Sequence, residues 1–190
     1  RNRDTVYKVE HYKQKADGTY PETASETENK TGITGDIVSA TAKTYAGYTE
    51  DISNTDRITT GTISGDGSLV LKLYYDRDSY TVTLNKDGGL VNKDDVTSYV
   101  YGIGATLPTD VTKAGYTFGG WYTNSSLTGS AVTKIGETET GNKTFYAKWS
   151  GSVISSEKYK INEEKKYITQ VSPETKVQDF LANIEIDGEA

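Results

Sequence analysis

Few residues in this chain have the type and the spacing that a catalytic site requires. His11 is the only histidine, and the chain contains no cysteine, so thiol chemistry and thiolate metal sites are excluded. No acid, base or nucleophile stands at an informative spacing from His11, so we predict a packed or capping side chain at that position. The serines lack the Gly-x-Ser-x-Gly elbow of many hydrolases. The sequence thus predicts no catalytic residues and a protein that is not an enzyme.

Carboxylates are frequent, but they are not arranged for catalysis or for metal binding. Asp94-Asp95 and Glu163-Glu164 are adjacent pairs, and adjacent side chains point apart in a strand or turn, which indicates solvated charge rather than a glycosidase pair. Asp66 and Asp87 lie in glycine-containing turns whose oxygens could bind calcium, although neither has the spacing of an EF-hand loop. We therefore predict no bound metal and no cofactor, with calcium at these turns as the alternative.

The aromatic residues offer the clearest candidate for a ligand-binding surface. Tyr116, Trp121 and Tyr122, together with Phe118, could form a platform on which a sugar ring stacks. In so small a module the same side chains more often form the hydrophobic core, and the sequence favours that role. Tyr116, Trp121 and Tyr122 are accordingly the candidate ligand-binding residues, and core packing is the competing role.

Charge and hydropathy exclude several classes of partner. The chain has 21 Lys and Arg against 27 Asp and Glu, a net charge of −6, and no cluster of basic residues. Neither nucleic acid nor an anionic membrane surface is therefore predicted as a partner. No apolar run is long enough to span a bilayer, so we predict no membrane insertion. The chain has no Met and no leader-like segment, which predicts an internal piece of a longer protein with neighbouring domains as partners.

An internal repeat organises the chain. Ala46-Gly-Tyr-Thr49 recurs as Ala114-Gly-Tyr-Thr117, and each copy lies between an opening strand followed by Asp-Gly and a closing aromatic strand. Strict alternation places the side chains of Tyr80, Val82 and Leu84 on one face of the second opening strand. The repeat predicts two homologous modules, residues 1–77 and 78–150, with glycines of positive φ or close backbone approach in the repeated motif.

The predicted fold class is α+β and β-rich, with tandem ubiquitin-like β-grasp modules. A weaker pattern fills Asp36 to Tyr45 and Ala105 to Lys113, where we predict a short helix that covers each sheet. The connection from Tyr75 to Tyr80 is too short for a flexible tether, so the two modules are expected to have limited freedom.

Residues 151–190 are predicted to be part of a third domain, cut short. Lys158 to Ile161 and Tyr167 to Val171 have strand patterns separated by a polar turn at 162–165. A helix is predicted to begin near Ser172-Pro-Glu174, because Ser is a good N-cap and Pro suits the first turn. Its apolar face comprises Val177, Phe180, Leu181 and Ile184.

Motifs in both modules resemble known families of bacterial surface repeats. The second resembles the Listeria–Bacteroides repeat, or internalin B-repeat, over about residues 79–150, with the matching segments Tyr80–Leu84, Asp87–Gly89, Leu107-Pro108, Ala114–Tyr122 and Phe145–Trp149. The first is similar to mucin-binding-protein-type repeats over about residues 5–76, with Tyr7–Tyr12, Asp17-Gly18, Thr31–Gly35 and Ala40–Tyr45. It lacks the Gly-Trp-Tyr element of the second. The third segment is similar to a module of clostridial-type secreted proteins.

These resemblances imply β-grasp folds strung along large secreted or surface proteins of Gram-positive bacteria, and neither repeat family implies a catalytic residue set. The predicted function is a non-catalytic repeat region, secreted or cell wall-associated, that acts as a semi-rigid stalk or spacer. The alternative is an adhesion module that binds glycans, mucin or host surface proteins.

Overall fold

The computed structural model describes residues 3–151, 153–162 and 167–187. Strands dominate these residues, and a single five-residue helix is present among them. The chain divides into two compact units. Unit 1 comprises Arg1–Val82, Thr97–Thr106 and Lys134–Lys143, and unit 2 comprises Thr83–Val96, Leu107–Thr133 and Thr144–Ala190. Three segments of the second module, residues 78–82, 97–106 and 134–143, therefore belong to the same compact unit as the whole first module.

The first module is a four-stranded sheet with a small additional pair. Its strands are β1 (Thr5–Lys13), β2 (Glu26–Gly32), β3 (Ile37–Ser39), β4 (Tyr48–Glu50), β5 (Thr60–Thr62) and β6 (Val70–Arg77). The sheet order is β2-β1-β6-β4, in which β1 runs parallel to β6, and the outer strands are antiparallel to their neighbours. β3 and β5 form a separate antiparallel pair. The core consists of Tyr7, Val9, Ile63, Leu71, Leu73 and Tyr75.

The period-two pattern of β1 produces its two faces. Tyr7, Val9 and His11 are buried, whereas Val6 and Lys8, which precede Tyr7 and Val9, are exposed. This is the alternation predicted from the sequence, because successive side chains of a strand point to opposite sides of the sheet. Leu71 and Leu73 on the parallel strand β6 complete the buried face.

The second module repeats the four-strand order of the first sheet and has two additional strand pairs instead of one. It contains β7 (Ser79–Asn85), β8 (Leu90–Val91), β9 (Ser98–Val100), β10 (Ala105–Thr106), β11 (Val111–Thr112), β12 (Tyr116–Tyr122), β13 (Lys134–Ile135) and β14 (Lys143–Gly151). The sheet order is β12-β14-β7-β9, so β9, β7, β14 and β12 take the places of β2, β1, β6 and β4. β8 pairs with β11 and β10 with β13. The shared strand order supports the predicted homology of the two modules.

The helix predicted in each module is wrong. The stretch from Asp36 to Tyr45 contains β3, and Ala105 to Lys113 contains β10 and β11; neither includes helix. Their β-branched residues pair with strands distant in sequence, as Ile37 does with Thr62. The β-rich part of the fold class is confirmed, but small strand pairs stand where helices were expected, and the β-grasp assignment stays a prediction.

The third segment contains short strands and the helix. These elements are β15 (Val153–Ser155), β16 (Lys160–Asn162), β17 (Tyr167–Thr169), α1 (Val177–Leu181) and β18 (Glu185–Asp187). β16 pairs with β17, as the two predicted strands require, and β15 pairs with β18. Most of the predicted turn at 162–165 lies outside the described residues.

The helix begins later than predicted. Ser172 starts a turn, in which the Thr175 backbone N–H donates to its carbonyl oxygen at 2.9 Å, and Lys176 is the N-cap without a side-chain bond. The predicted start near Ser172 is therefore wrong, because the capping hydroxyl serves a turn instead of a helix. On the predicted apolar face Val177 and Leu181 are largely exposed, and Phe180 packs on Tyr159 with ring centroids 5.3 Å apart.

Candidate functional site

The only histidine lies inside the first module. His11 is completely buried on β1. Its Nδ1 is 2.8 Å from the hydroxyl of Tyr75 and its Nε2 is 2.9 Å from Oε1 of Glu28 on β2. The hydrogen bond with His11 holds the pKa of the Glu28 carboxyl below its usual value. The packed role predicted for His11 is confirmed, because its ring is completely buried and both ring nitrogens have hydrogen-bond partners.

The two turns considered for calcium hold their carboxylates in local contacts. Oδ1 of Asp66 accepts a hydrogen bond from the Ser68 backbone at 3.0 Å, and hydrogen bonds from Ser64 and Ser68 lower the pKa of Asp66 to about 2. Oδ2 of Asp87 is 3.1 Å from the ammonium group of Lys113. Within the described residues, no three His, Asp or Glu side chains are grouped closely enough to hold a metal ion.

The three candidate ligand residues are placed differently on β12. Trp121 is only 2% exposed and donates from Nε1 to the carbonyl oxygen of Pro108 at 2.8 Å. Tyr122 is also buried, whereas Tyr116 is 47% exposed. The register of the strand is irregular between Phe118 and Trp121, and Tyr116 lies at the start of the strand, opposite Gly151. The structure therefore presents Tyr116 to solvent and gives Trp121 the position of a core residue.

The exposed ring of Tyr116 is covered in part by Lys113. The Lys113 ammonium lies 4.7 Å from the Tyr116 ring centroid and 5.7 Å from that of Trp149, within range of a cation–π interaction. It also donates to the backbone carbonyl of Asp87 at 2.6 Å. Asp87 and Gly88 have φ values of 46° and 79°, as the predicted Asp-Gly turn requires. Lys113 thus joins this turn to the start of β12.

Sequence reasoning missed a cluster inside unit 1, where the first module meets residues of the second. We call Gly47, Tyr48, Arg77, Tyr101 and Gly102 the junction cluster. Arg77 ends β6 and donates from Nη1 to the carbonyl oxygen of Tyr101 at 2.8 Å. Its guanidinium carbon lies 5.4 Å from the ring centroid of Tyr48, and the rings of Tyr48 and Tyr101 meet edge to face at 5.6 Å.

Two glycines make the junction cluster sterically possible. A Cβ added at Gly47 would overlap the ring of Tyr101, and one added at Gly102 would overlap the guanidinium of Arg77. Gly47 has φ of 73°, as predicted for the repeated motif, and its counterpart Gly115 has φ of 76°. The only signal in the sequence was the short connection after Tyr75, because the residues in contact are far apart along the chain.

The family comparison concerns the second module. Residues 80–148 match the Listeria-Bacteroides repeat domain, a repeat of bacterial surface proteins. This confirms the resemblance predicted for about residues 79–150. The match does not extend to residues 5–76, so the mucin-binding likeness of the first module stays a prediction. No curated protein matches the chain. None of the described helices is long and apolar enough to cross a membrane.

Proposed function

We propose that the two modules form a non-catalytic, semi-rigid spacer in a secreted or cell wall-associated bacterial protein. The surface-repeat family matched by residues 80–148 supports this location. The complete burial of His11 supports a role without catalysis. The parallel β1–β6 pair at the centre of the first sheet is consistent with modules derived from a β-grasp fold. The main support for the proposal is the junction, because a spacer must fix the position of one module against the next.

The connection between the modules is a single residue with every polar group engaged. β6 ends at Arg77 and β7 begins at Ser79, so Asp78 alone joins them. Its N–H donates to the carbonyl oxygen of Gly47 at 2.9 Å, and its own carbonyl oxygen accepts from the Tyr101 N–H at 3.0 Å. Its carboxylate accepts hydroxyl hydrogen bonds from Thr49 at 2.7 Å and from Tyr80 at 3.1 Å.

A hinge motion at Asp78 would disrupt these four hydrogen bonds together. At about 1 kcal/mol net for each, the cost is roughly 4 kcal/mol, before any loss of packing between Tyr48 and Tyr101. A free-energy difference of about 4 kcal/mol corresponds to an open population on the order of one molecule in a thousand. The junction should therefore hold one arrangement, unlike the broad ensemble of a Gly/Ser-rich linker.

Distances measured by double electron–electron resonance (DEER) between two labels on the full chain test the spacer role. The chain has no cysteine, so Thr27→Cys and Thr144→Cys, both at exposed strand positions, would give unique sites for nitroxide labels. We expect one narrow distance distribution, which Gly47→Ala broadens and Gly115→Ala leaves narrow. A broad distribution in the labelled chain without further substitution would contradict a semi-rigid spacer.

A further inference from the structure

A surface cavity in unit 2 lies beside the end of β7, on strand β14 and the loop after β12. Its volume is about 290 Å³, and it is lined by Asn85, Asp87, Ser125, Leu127, Tyr146 and Ala147. We propose that this cavity binds a single neutral sugar residue. The inference concerns a ligand and does not depend on the proposed spacer role.

One strained residue lines this cavity. Leu127 has φ of 54°, whereas the positive φ of Asp87 belongs to the Asp-Gly turn. Leucine is disfavoured in this region, and strained residues persist where the surrounding structure holds them, often at binding sites. Asn124 holds the loop around Leu127, because its amide donates to the Thr128 carbonyl oxygen at 2.9 Å and its side-chain oxygen accepts from the Thr128 N–H at 3.2 Å.

The polar groups of the cavity match those of a sugar. Asn85 accepts from the Asp87 N–H through Oδ1 at 3.2 Å, which leaves its amide hydrogens for a ligand. Within the described part of the chain, the Asn85 amide nitrogen and the hydroxyls of Ser125 and Tyr146 have no hydrogen-bond partner. Sugar hydroxyls both donate and accept, so they can satisfy an amide, two hydroxyls and the Asp87 carboxylate together.

Apolar contact and charge narrow the ligand class. The half-buried side chains of Tyr146 and Leu127 provide an apolar wall for the C–H face of a sugar ring. None of the lining residues is a cation, and Lys113 is already paired with Asp87, so the lining does not compensate the carboxylate of a uronic or sialic acid. The volume is at the lower limit of typical ligand pockets, about 300 Å³, which suits one ring rather than an oligosaccharide.

Amide chemical shifts of the isotope-labelled full chain test this proposal. The probes are the methyl glycosides of glucose, galactose, mannose and N-acetylglucosamine, with glucuronic acid as the anionic comparison. We expect at least one neutral glycoside to give saturable shifts at Asn85, Ser125 and Leu127, with a dissociation constant on the order of 1 mM. Glucuronic acid should bind several-fold more weakly, because no lining residue supplies a positive charge for its carboxylate.

Substitutions in the cavity separate this site from unspecific binding. Ser125→Ala and Tyr146→Ala should each weaken binding several-fold, whereas Tyr146→Phe keeps the ring and most of the affinity. Thr83→Ala, on the same exposed face of β7 as Asn85, is the matched control and should change nothing. If no glycoside gives saturable shifts up to roughly 50 mM, or if Ser125→Ala and Tyr146→Ala leave the shifts unaltered, no sugar site exists here.

Discussion

Replacing one glycine in each copy of the repeated motif tests the junction directly. Gly47 and Gly115 occupy equivalent turns in the two modules, with φ of 73° and 76°. In each turn the residue after the glycine donates its N–H to the carbonyl oxygen two positions before the glycine, from Tyr48 to Tyr45 and from Tyr116 to Lys113. Alanine at either position therefore carries the same backbone cost, about 1–2 kcal/mol. The surroundings differ, because a Cβ at Gly47 overlaps the ring of Tyr101 and a Cβ at Gly115 meets no atom within 4 Å.

The extra cost of Gly47→Ala follows from the contacts that Tyr101 must give up when its ring and backbone move together, because the added Cβ overlaps Cγ, the ring atom nearest the backbone. The edge-to-face contact with Tyr48 is worth about 0.5–1.5 kcal/mol. The hydrogen bond from the Arg77 guanidinium to the Tyr101 carbonyl is worth about 1.5–3 kcal/mol. We therefore expect Gly47→Ala to lower the free energy of unfolding by about 2–4 kcal/mol more than Gly115→Ala does.

Urea unfolding followed by tyrosine and tryptophan fluorescence measures this difference. Both variants should unfold at lower urea than the unaltered chain, and Gly47→Ala at the lower concentration of the two. If the two variants lose the same stability within about 0.5 kcal/mol, the contact between Gly47 and Tyr101 contributes nothing beyond the shared backbone strain, and the reasoning on the junction fails.

Three further substitutions test the roles of individual side chains in the two modules. The hydrogen bond with His11 holds the pKa of Glu28 below its usual value, so this carboxylate stabilises the fold above pH 4–5 and loses that contribution as the pH falls. The urea midpoint of Glu28→Gln should therefore differ from that of the unaltered chain more at pH 7 than at pH 3. An equal difference at both pH values would contradict the assignment. Trp121→Ala should lower the free energy of unfolding by about 3–5 kcal/mol and Tyr116→Ala by less than about 1 kcal/mol, because the first ring is buried and the second is 47% exposed. Thermal unfolding measures both losses. Comparable losses would show that Tyr116 is part of the core.

The parts of the fold that depend on neighbouring residues were predictable from the sequence. The alternation of β7 places Val82 in the interior and Thr81 and Thr83 outside, as its period-two pattern requires. The Asp87-Gly88 turn and the positive φ of Gly47 follow from the backbone preferences of single residues. Such features need no information about distant parts of the chain.

The parts that depend on distant residues were not predictable. The stretch around Ile37 and Val38 has no helical period, and its strand exists only because Gly61 and Thr62 pair with it. The junction cluster depends on Tyr101, which no local pattern connects to Gly47. The exposure of Tyr116 and the burial of Trp121 also depend on distant residues, because Tyr116 lies opposite Gly151 whereas Trp121 lies opposite Ala147 and donates to the Pro108 carbonyl oxygen.

The parallel pairing of β1 and β6 determines how the first module would respond to mechanical tension. The register runs from Lys8 opposite Val70 to Lys13 opposite Tyr75. A force that pulls the start of β1 away from the end of β6 acts along both strands, so the ladder is loaded in shear and its hydrogen bonds must break together. In a hairpin pulled open from its two ends the same bonds would break one after another. In the proposed spacer role, tension along the chain would therefore load the first and last strands of this module, which are neighbours in the sheet.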